Sequence, residues 1–270
     1  LDTVTETHRE EVHGSRDNHR SESRRHEVAT NLEATGAITI SAGRDLQSRG
    51  AQLVTHAGEL ELSATRDVAL ATAESNISVD ESHRHTRRGM LSTTTYAARD
   101  SVQQTHQQGT LLSGARVSVQ SGRDLSVTGS SIVSRQGTEL DAARDIHLEA
   151  AAHAHTETHL QQKHSTGLMG AGGFGITLGS RYQSARSETT RSIAAHSTIG
   201  SLTGDVSIRA GSAFSQTGSH IIAPEGSIRI TAPRVTLGPA YNTESIVTNT
   251  QFKQSGLTVA VSNPIVTAVQ

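Results

Sequence analysis

Cysteine and tryptophan are absent from this chain of 270 residues, and proline occurs only four times. Without cysteine there is no disulfide scaffold and no thiolate metal site, and the absence suits export through an oxidising compartment. Phe and Tyr number three each, so aromatic residues make up 2% of the sequence. A compact enzyme domain relies on bulky side chains for its core, and this chain has few. Hydrophobic residues reach 33%, well short of the roughly 45–50% of an ordinary globular domain. No run approaches the roughly 18 apolar residues of a transmembrane helix. Neither charge dominates: 24 Lys and Arg against 26 Asp and Glu leave a net charge of -2. That balance gives no general reason to expect a nucleic-acid partner. It also differs from the high net charge of disordered chains. The chain opens on Leu1 with no charged-then-apolar leader, so a segment of a longer protein is the expectation.

What is present is small, polar and regular. Ser and Thr together number 66 and Gly 24, while Val, Ile, Leu and Ala recur at fixed intervals. ITISAGRDL begins at Ile38, VSVQSGRDL at Val117 and VSIRAGSAF at Val206. Each is followed by a second copy: LELSATRDVAL from Leu60, ELDAARDIHL from Glu139 and SIRITAPRVTL from Ser227. Asp45 and Asp67 are 22 residues apart, Asp124 and Asp145 21. Such a period is close to one rung of a three-sided parallel β-helix, with three short strands and their turns. A longer period contains it. Gly43, Gly122 and Gly211 are 79 and 89 apart, as are Gly58, Gly137 and Gly226.

Within each block the apolar period is two, which predicts half-buried strands. The inward set is Ile38 and Ile40, Leu60 and Leu62, Val117 and Val119, Ile146 and Leu148, Ile228 and Ile230. The expected organisation is rung blocks at 36–74, 114–150 and 204–240, separated by polar or Gly-rich insertions at 1–35, 75–113, 151–203 and 241–270. Asp at Ile40, Leu62, Val119 or Ile228 is expected to cost several kcal/mol, because an isolated charge in a thin core is poorly solvated. The recurring Arg-Asp pair falls where one strand ends and the next begins, so a turn-forming role is expected rather than a catalytic one.

The insertions carry their own motif. Arg88-Gly89-Met90-Leu91, Thr166-Gly167-Leu168-Met169 and Ser255-Gly256-Leu257-Thr258 align, with about ten extra residues in the second insertion. Beyond the glycine each becomes less polar, and each reads as a β-hairpin or side sheet packed on the solenoid. Phe174, Ile176 and Leu178 share one face, as do Leu257, Val259 and Val261. Histidine clusters at His153, His155, His159 and His164, with Glu157 among them. His-x-His spacing is a geometry zinc uses, but no matching carboxylate or thiolate spacing recurs, so a solvated polar strand is expected, with no metal. A pH response is the further expectation, since charging clustered imidazoles would loosen the strand. GAGGFG lacks a βαβ setting, and no GxSxG, P-loop or HExxH motif occurs. No catalytic residue and no cofactor is expected.

Taken together, ISAGRDL, SVQSGRDLSVTGSSI and ELDAARDIHLEAA resemble the repeats of filamentous haemagglutinins. HTETHLQQKHSTGLMGAGGFGITLGSR, GSLTGDVSIRAGS and QSGLTVAVSNPIVTAVQ are similar to the second haemagglutinin-repeat region of contact-dependent growth inhibition effectors. The resemblance covers essentially the whole chain. It implies an all-β, right-handed parallel β-helix with hairpin or side-sheet insertions between two-rung blocks. It implies secretion to the bacterial cell surface through an outer-membrane transporter. It also implies engagement of a target cell's outer membrane or surface receptor, in aid of a downstream toxin. Candidate contact residues are Gly167, Leu168, Met169, Phe174, Ile176, Leu178, Gly256, Leu257, Val259 and Val261. Their segments, Gly167–Gly179 and Gly256–Val269, hold about 10–13 residues, near the 9–11 of a tilted spanning strand. A plain adhesin stalk is the alternative. A polysaccharide-cleaving β-helix enzyme would need clustered carboxylates and aromatic platforms, and neither is present.

Overall fold

The computed structural model describes residues 1–15, 17–170 and 175–260. Short strands alternate with long hairpins. The first hairpin is β1 (Val4–Ser15) and β2 (Asn18–Val28). Six short strands follow: β3 (Asn31–Ala34), β4 (Ile38–Ala42), β5 (Leu46–Arg49), β6 (Gln52–Thr55), β7 (Glu59–Ala64) and β8 (Val68–Ala71). The second hairpin is β9 (Ala73–Arg88) and β10 (Ser92–Gln108). Then come β11 (Leu111–Ser121), β12 (Leu125–Thr128), β13 (Ser131–Ala142) and β14 (Asp145–Glu149). The third hairpin is β15 (Ala151–Gly170) and β16 (Gly175–Ala195). The last short strands are β17 (Thr198–Ser201), β18 (Val206–Ala210), β19 (Ala213–Thr217), β20 (His220–Ile222), β21 (Ile228–Thr231) and β22 (Arg234–Gly238), before the long β23 (Thr243–Ala260). The fold is all-β.

The short strands form two sheets, of ten and six strands, in which every pairing is parallel. Partners lie one sequence period apart: Ile38 pairs Leu60, and Leu125 pairs Ile146. Where a hairpin intervenes the chain leaves and returns in register, so Leu60 pairs Val117 and Thr138 pairs Val206. The inward positions of the two sheets meet in one core, which includes Leu53, Leu60, Leu62, Leu112, Val117, Val119, Ile146, Leu148, Ile199 and Phe214.

The parallel sheets begin earlier in each block than alternation alone indicates. Asn31–Ala34 and the segments starting at Leu111 and Thr198 belong to them, although they fall in stretches expected to be insertions. Each contributes one apolar residue in register with a core column (buried Leu112 and Ile199, and Leu32, which stays exposed on the end strand), too few for a period to register. Among the expected core positions, Leu60, Leu62, Val117, Val119, Ile146 and Leu148 are fully buried. Ile38, Ile40 and Ile230 are half-buried against the core, while Ile228 is 47% exposed. These four lie on strands at the two ends of the ladder, where stacking comes from one side alone.

Turn chemistry recurs from one sequence repeat to the next. The amide of Asp67 donates to Asp45 Oδ1 at 3.4 Å, that of Asp124 to Asp67 Oδ1 at 3.3 Å, and that of Asp145 to Asp124 Oδ1 at 3.3 Å. Arg66 Nε lies 3.4 Å from Asp45, Arg123 Nε 3.2 Å from Asp67 and Arg144 Nε 3.5 Å from Asp124. Each side chain thus ties a turn to the one beneath it. Such half-exposed ion pairs contribute roughly 0–1 kcal/mol each. A second corner stacks buried hydroxyls. The Thr110 amide donates to Ser130 Oγ at 3.1 Å, the Ser130 amide to Ser197 Oγ at 3.2 Å, and Ser197 Oγ to Glu149 O at 2.6 Å. Hydroxyls there satisfy amides that an apolar core would leave unpaired.

Candidate functional site

The long strands leave the parallel stack and join one another. They form a single antiparallel sheet in the order β1-β2-β9-β10-β15-β16-β23. Its composition changes along the strands. Near the stack it carries acids and histidines. At the far end, the turn of the second hairpin is Gly89-Met90-Leu91. The third hairpin continues past that point, and its Leu168 amide donates to Leu91 O at 2.9 Å. The described residues Leu168–Gly170 and Gly175–Leu178 of the longer insertion thus lie beyond that turn.

A line of glycine marks the base of the tip. Gly167 pairs Gly179, and Gly179 pairs Gly256, on three neighbouring strands. A Cβ on Gly167 would stand 2.2 Å from Leu91 O, and one on Gly179 2.1 Å from Ser255 O. Gly167 also has a φ of 106°, which side-chain-bearing residues rarely adopt. Beyond this line Leu168, Leu178 and Leu257 are paired directly across the sheet. Ile176 pairs Val259, two residues further along. Strand alternation puts these five aliphatic side chains on one face. All five are exposed, Leu257 at 71% and Leu178 at 60%, with Met90 nearby at 99%. The opposite face carries Met169, Thr177 and Thr258, and Thr177 is buried with its hydroxyl 2.9 Å from that of Thr258. No charged residue occurs between Gly167 and Gly179.

Of the sequence-derived contact residues, Gly167, Leu168, Met169, Ile176, Leu178, Gly256, Leu257 and Val259 are therefore brought to one end of one sheet. Phe174 and Val261 lie outside the described residues. The described parts of Gly167–Gly179 are two arms of one hairpin, not a continuous strand of 13 residues. Each described apolar arm, at Leu168–Gly170 and Ile176–Leu178, extends about 10 Å beyond the glycine line at 3.4 Å per residue.

His155 and His159 both reach Glu157, at 3.7 and 2.8 Å, whereas His153 and His164 find other partners. His153 stacks on His106 with ring centroids 4.6 Å apart, while His164 Nε2 is 3.0 Å from Ser180 Oγ. His159 sits between carboxylates, its Nδ1 2.7 Å from Asp100 and its Nε2 2.8 Å from Glu157. The Asp100 hydrogen bond, supported by Glu157, raises the His159 pKa above the ordinary imidazole value. Burial, then the neighbouring His106, lowers that of His153. Protonation is thus favoured at His159 and disfavoured at His153, so these two imidazoles oppose each other where the sequence suggests uniform loosening.

A stack of parallel turns with hairpins collected into a side sheet is the layout of a β-repeat protein. The chain belongs to the hemagglutinin-repeat family, whose model matches residues 12–94 and 90–235. It is 34% identical over 242 residues to the deoxyribonuclease CdiA of Dickeya dadantii, covering 89% of this chain and 7% of that protein. Against the tRNA nuclease CdiA of Escherichia coli strain STEC_O31 it is 37% identical over 223 residues, covering 81% of this chain and 7% of the relative. A toxin CdiA of Escherichia coli is 38% identical over 245 residues, covering 89% and 8% respectively. The chain thus spans less than a tenth of the length of these relatives. It is a haemagglutinin-repeat region of the CdiA type. No solved structure matches it.

Proposed function

We propose that the chain is a non-enzymatic stalk and delivery segment of a secreted, cell-surface contact-dependent inhibition effector. Its tip engages the target cell's outer membrane, or a receptor there, and aids passage of a toxin carried by the parent protein. The two parallel sheets act as walls of a right-handed β-helix, the hand that parallel crossovers almost always take. The two-rung blocks form the shaft, and the hairpins form a fin along it. An outer-membrane transporter exports the whole. The observation that carries the reading is the uncharged, exposed aliphatic tip beyond Gly167, Gly179 and Gly256. In water such a surface is unfavourable by about 25 cal/mol per Å² of apolar area left exposed. The described arms of the Gly167–Gly179 hairpin, three residues each beyond the glycine line, favour shallow insertion of that hairpin over a full span, which takes about 9–11 residues per strand.

The second reading is a plain adhesin stalk, favoured by the polar character of most of the fin. Co-flotation with liposomes separates the two. Flotation, alone or after exposure to target membranes or acid, supports membrane engagement. A chain that stays soluble under every condition supports the adhesin.

A further inference from the structure

Just below the glycine line, four rows of the antiparallel sheet share a distinctive composition. Read across β9, β10, β15, β16 and β23, they are His85-Tyr96-Lys163-Gln183-Phe252, Thr86-Thr95-His164-Tyr182-Lys253, Arg87-Thr94-Ser165-Arg181-Gln254 and Arg88-Thr93-Thr166-Ser180-Ser255. They contain five Lys or Arg residues and no Asp or Glu. Among the described residues none of these five makes an ion pair, whereas the arginines further from the tip do. Arg84 lies 3.2 Å from Asp17, Arg99 2.9 Å from Asp80 and Arg186 3.0 Å from Glu188. The Lys163 ammonium sits 5.3 Å from the centre of the Tyr96 ring, and Arg181 donates to Gln254 and to Gly170 O.

Both faces of the sheet take part. Strand alternation puts Arg87, Lys163, Arg181, Tyr96 and Phe252 on one face and Arg88, Lys253 and Tyr182 on the other. The only three aromatic residues among the described strands of this sheet therefore fall in two adjacent rows, beside the unpaired cations. Neighbouring like charges repel one another, and among the described residues no carboxylate lies within ion-pair distance to relieve them. Aromatic rings with an apolar body and a polar rim favour a membrane–water boundary, and basic residues beside an apolar face favour anionic headgroups. The four rows occupy about 14 Å below the glycine line, at 3.4 Å per residue.

We infer that this belt binds the phosphate groups of anionic lipids and stops the tip at headgroup depth. The inference rests on the membrane reading proposed above and names the lipid chemistry and depth of the same site.

The test is co-flotation of the 270-residue chain with vesicles of phosphatidylcholine alone, and of phosphatidylcholine mixed with phosphatidylglycerol. The chain should bind the anionic vesicles more tightly, with the advantage shrinking as salt rises. K163Q/R181Q/K253Q should lose about fivefold per cation on anionic vesicles and keep its binding to neutral ones. The charge-preserving K163R/R181K/K253R should restore the preference. R135Q/R229Q/R234Q, which removes the same charge from the parallel sheets, should match the unaltered chain. Melting curves check that each variant is folded. Equal binding to both vesicles, or an undiminished anionic preference in the glutamine variant, overturns the belt alone. Failure of the unaltered chain to float with either vesicle overturns the membrane reading as well.

Discussion

Leu62, Val119, Ile40 and Ile228 are equivalent as letters in a repeat, yet the structure ranks them. Leu62 and Val119 are wholly buried, Ile40 is half-buried and Ile228 is 47% exposed. Leu62→Asp and Val119→Asp should each cost several kcal/mol, because the carboxylate finds no water and no partner. Ile40→Asp should cost less, and Ile228→Asp no more than about 1 kcal/mol, as for most surface substitutions. Urea midpoints of the four variants check the order. The histidines supply the pH dependence. His159 is raised, so its contribution is complete below the unfolded value near 6.5 and is lost as pH rises through the higher folded value. His153 is lowered, so its contribution is complete above that value and declines as pH falls towards the lower folded one. NMR titration should show His153 titrating below 6.5 and His159 above it. Acidification from pH 7.5 to 5 should protect amides beside His159 and expose those beside His153.

At the scale of elements, one corner decides whether the chain makes another turn or departs into a hairpin. Gly50, Gly129 and Gly218 close the first turn of each pair with φ near +60°, and Ala73, Ala151 and Ala240, where the chain leaves the second turn, lie directly against them. A Cβ on Gly129 would stand 2.6 Å from that of Ala151 and 2.7 Å from Thr72 Cγ2. Gly129→Ala should therefore cost about 1–3 kcal/mol in backbone strain, with the clash in addition. Chemical denaturation measures the loss, and Gly36→Ala, where a Cβ meets nothing within 4 Å, is the control. The 79- and 89-residue super-period was legible, and these glycines follow it. Their sign of φ was not legible, because Gly43 and Gly122 share the period without needing it.

Across the whole molecule, the buried core and the exposed aliphatic surface of the hairpins belong to different parts. The core belongs to the parallel sheets, whereas β15 and β16 leave residues of both faces in reach of solvent. Amides of β11 and β13 should consequently exchange with deuterium more slowly than those of β15 and β16, as hydrogen-exchange mass spectrometry would read. Because each parallel strand pairs only with its neighbours, Leu62→Asp should also loosen the adjoining strands β4 and β11 before distant ones. The fin can then be altered at its tip with little effect on the shaft. L178D/L257D should abolish flotation while leaving the melting temperature within a few degrees, since both side chains are already exposed.

The sequence by itself determined the local elements: period-two alternation, the repeat of about 21 residues, the Arg-Asp turns and the sparse, uncharged Gly-Leu segments. Each is set by residues close together in the chain, so each is readable without coordinates. Only the tertiary structure decided that Gly167–Gly179 doubles back into short arms, and that Ile228 lies open at the end of the stack. It alone brought Arg87, Lys163, Arg181 and Lys253 into neighbouring rows. Those alignments depend on antiparallel register between hairpins separated in sequence by whole turns of the parallel stack. Register of that kind is settled by backbone pairing and glycine contacts across strands, not by the preference of any one segment.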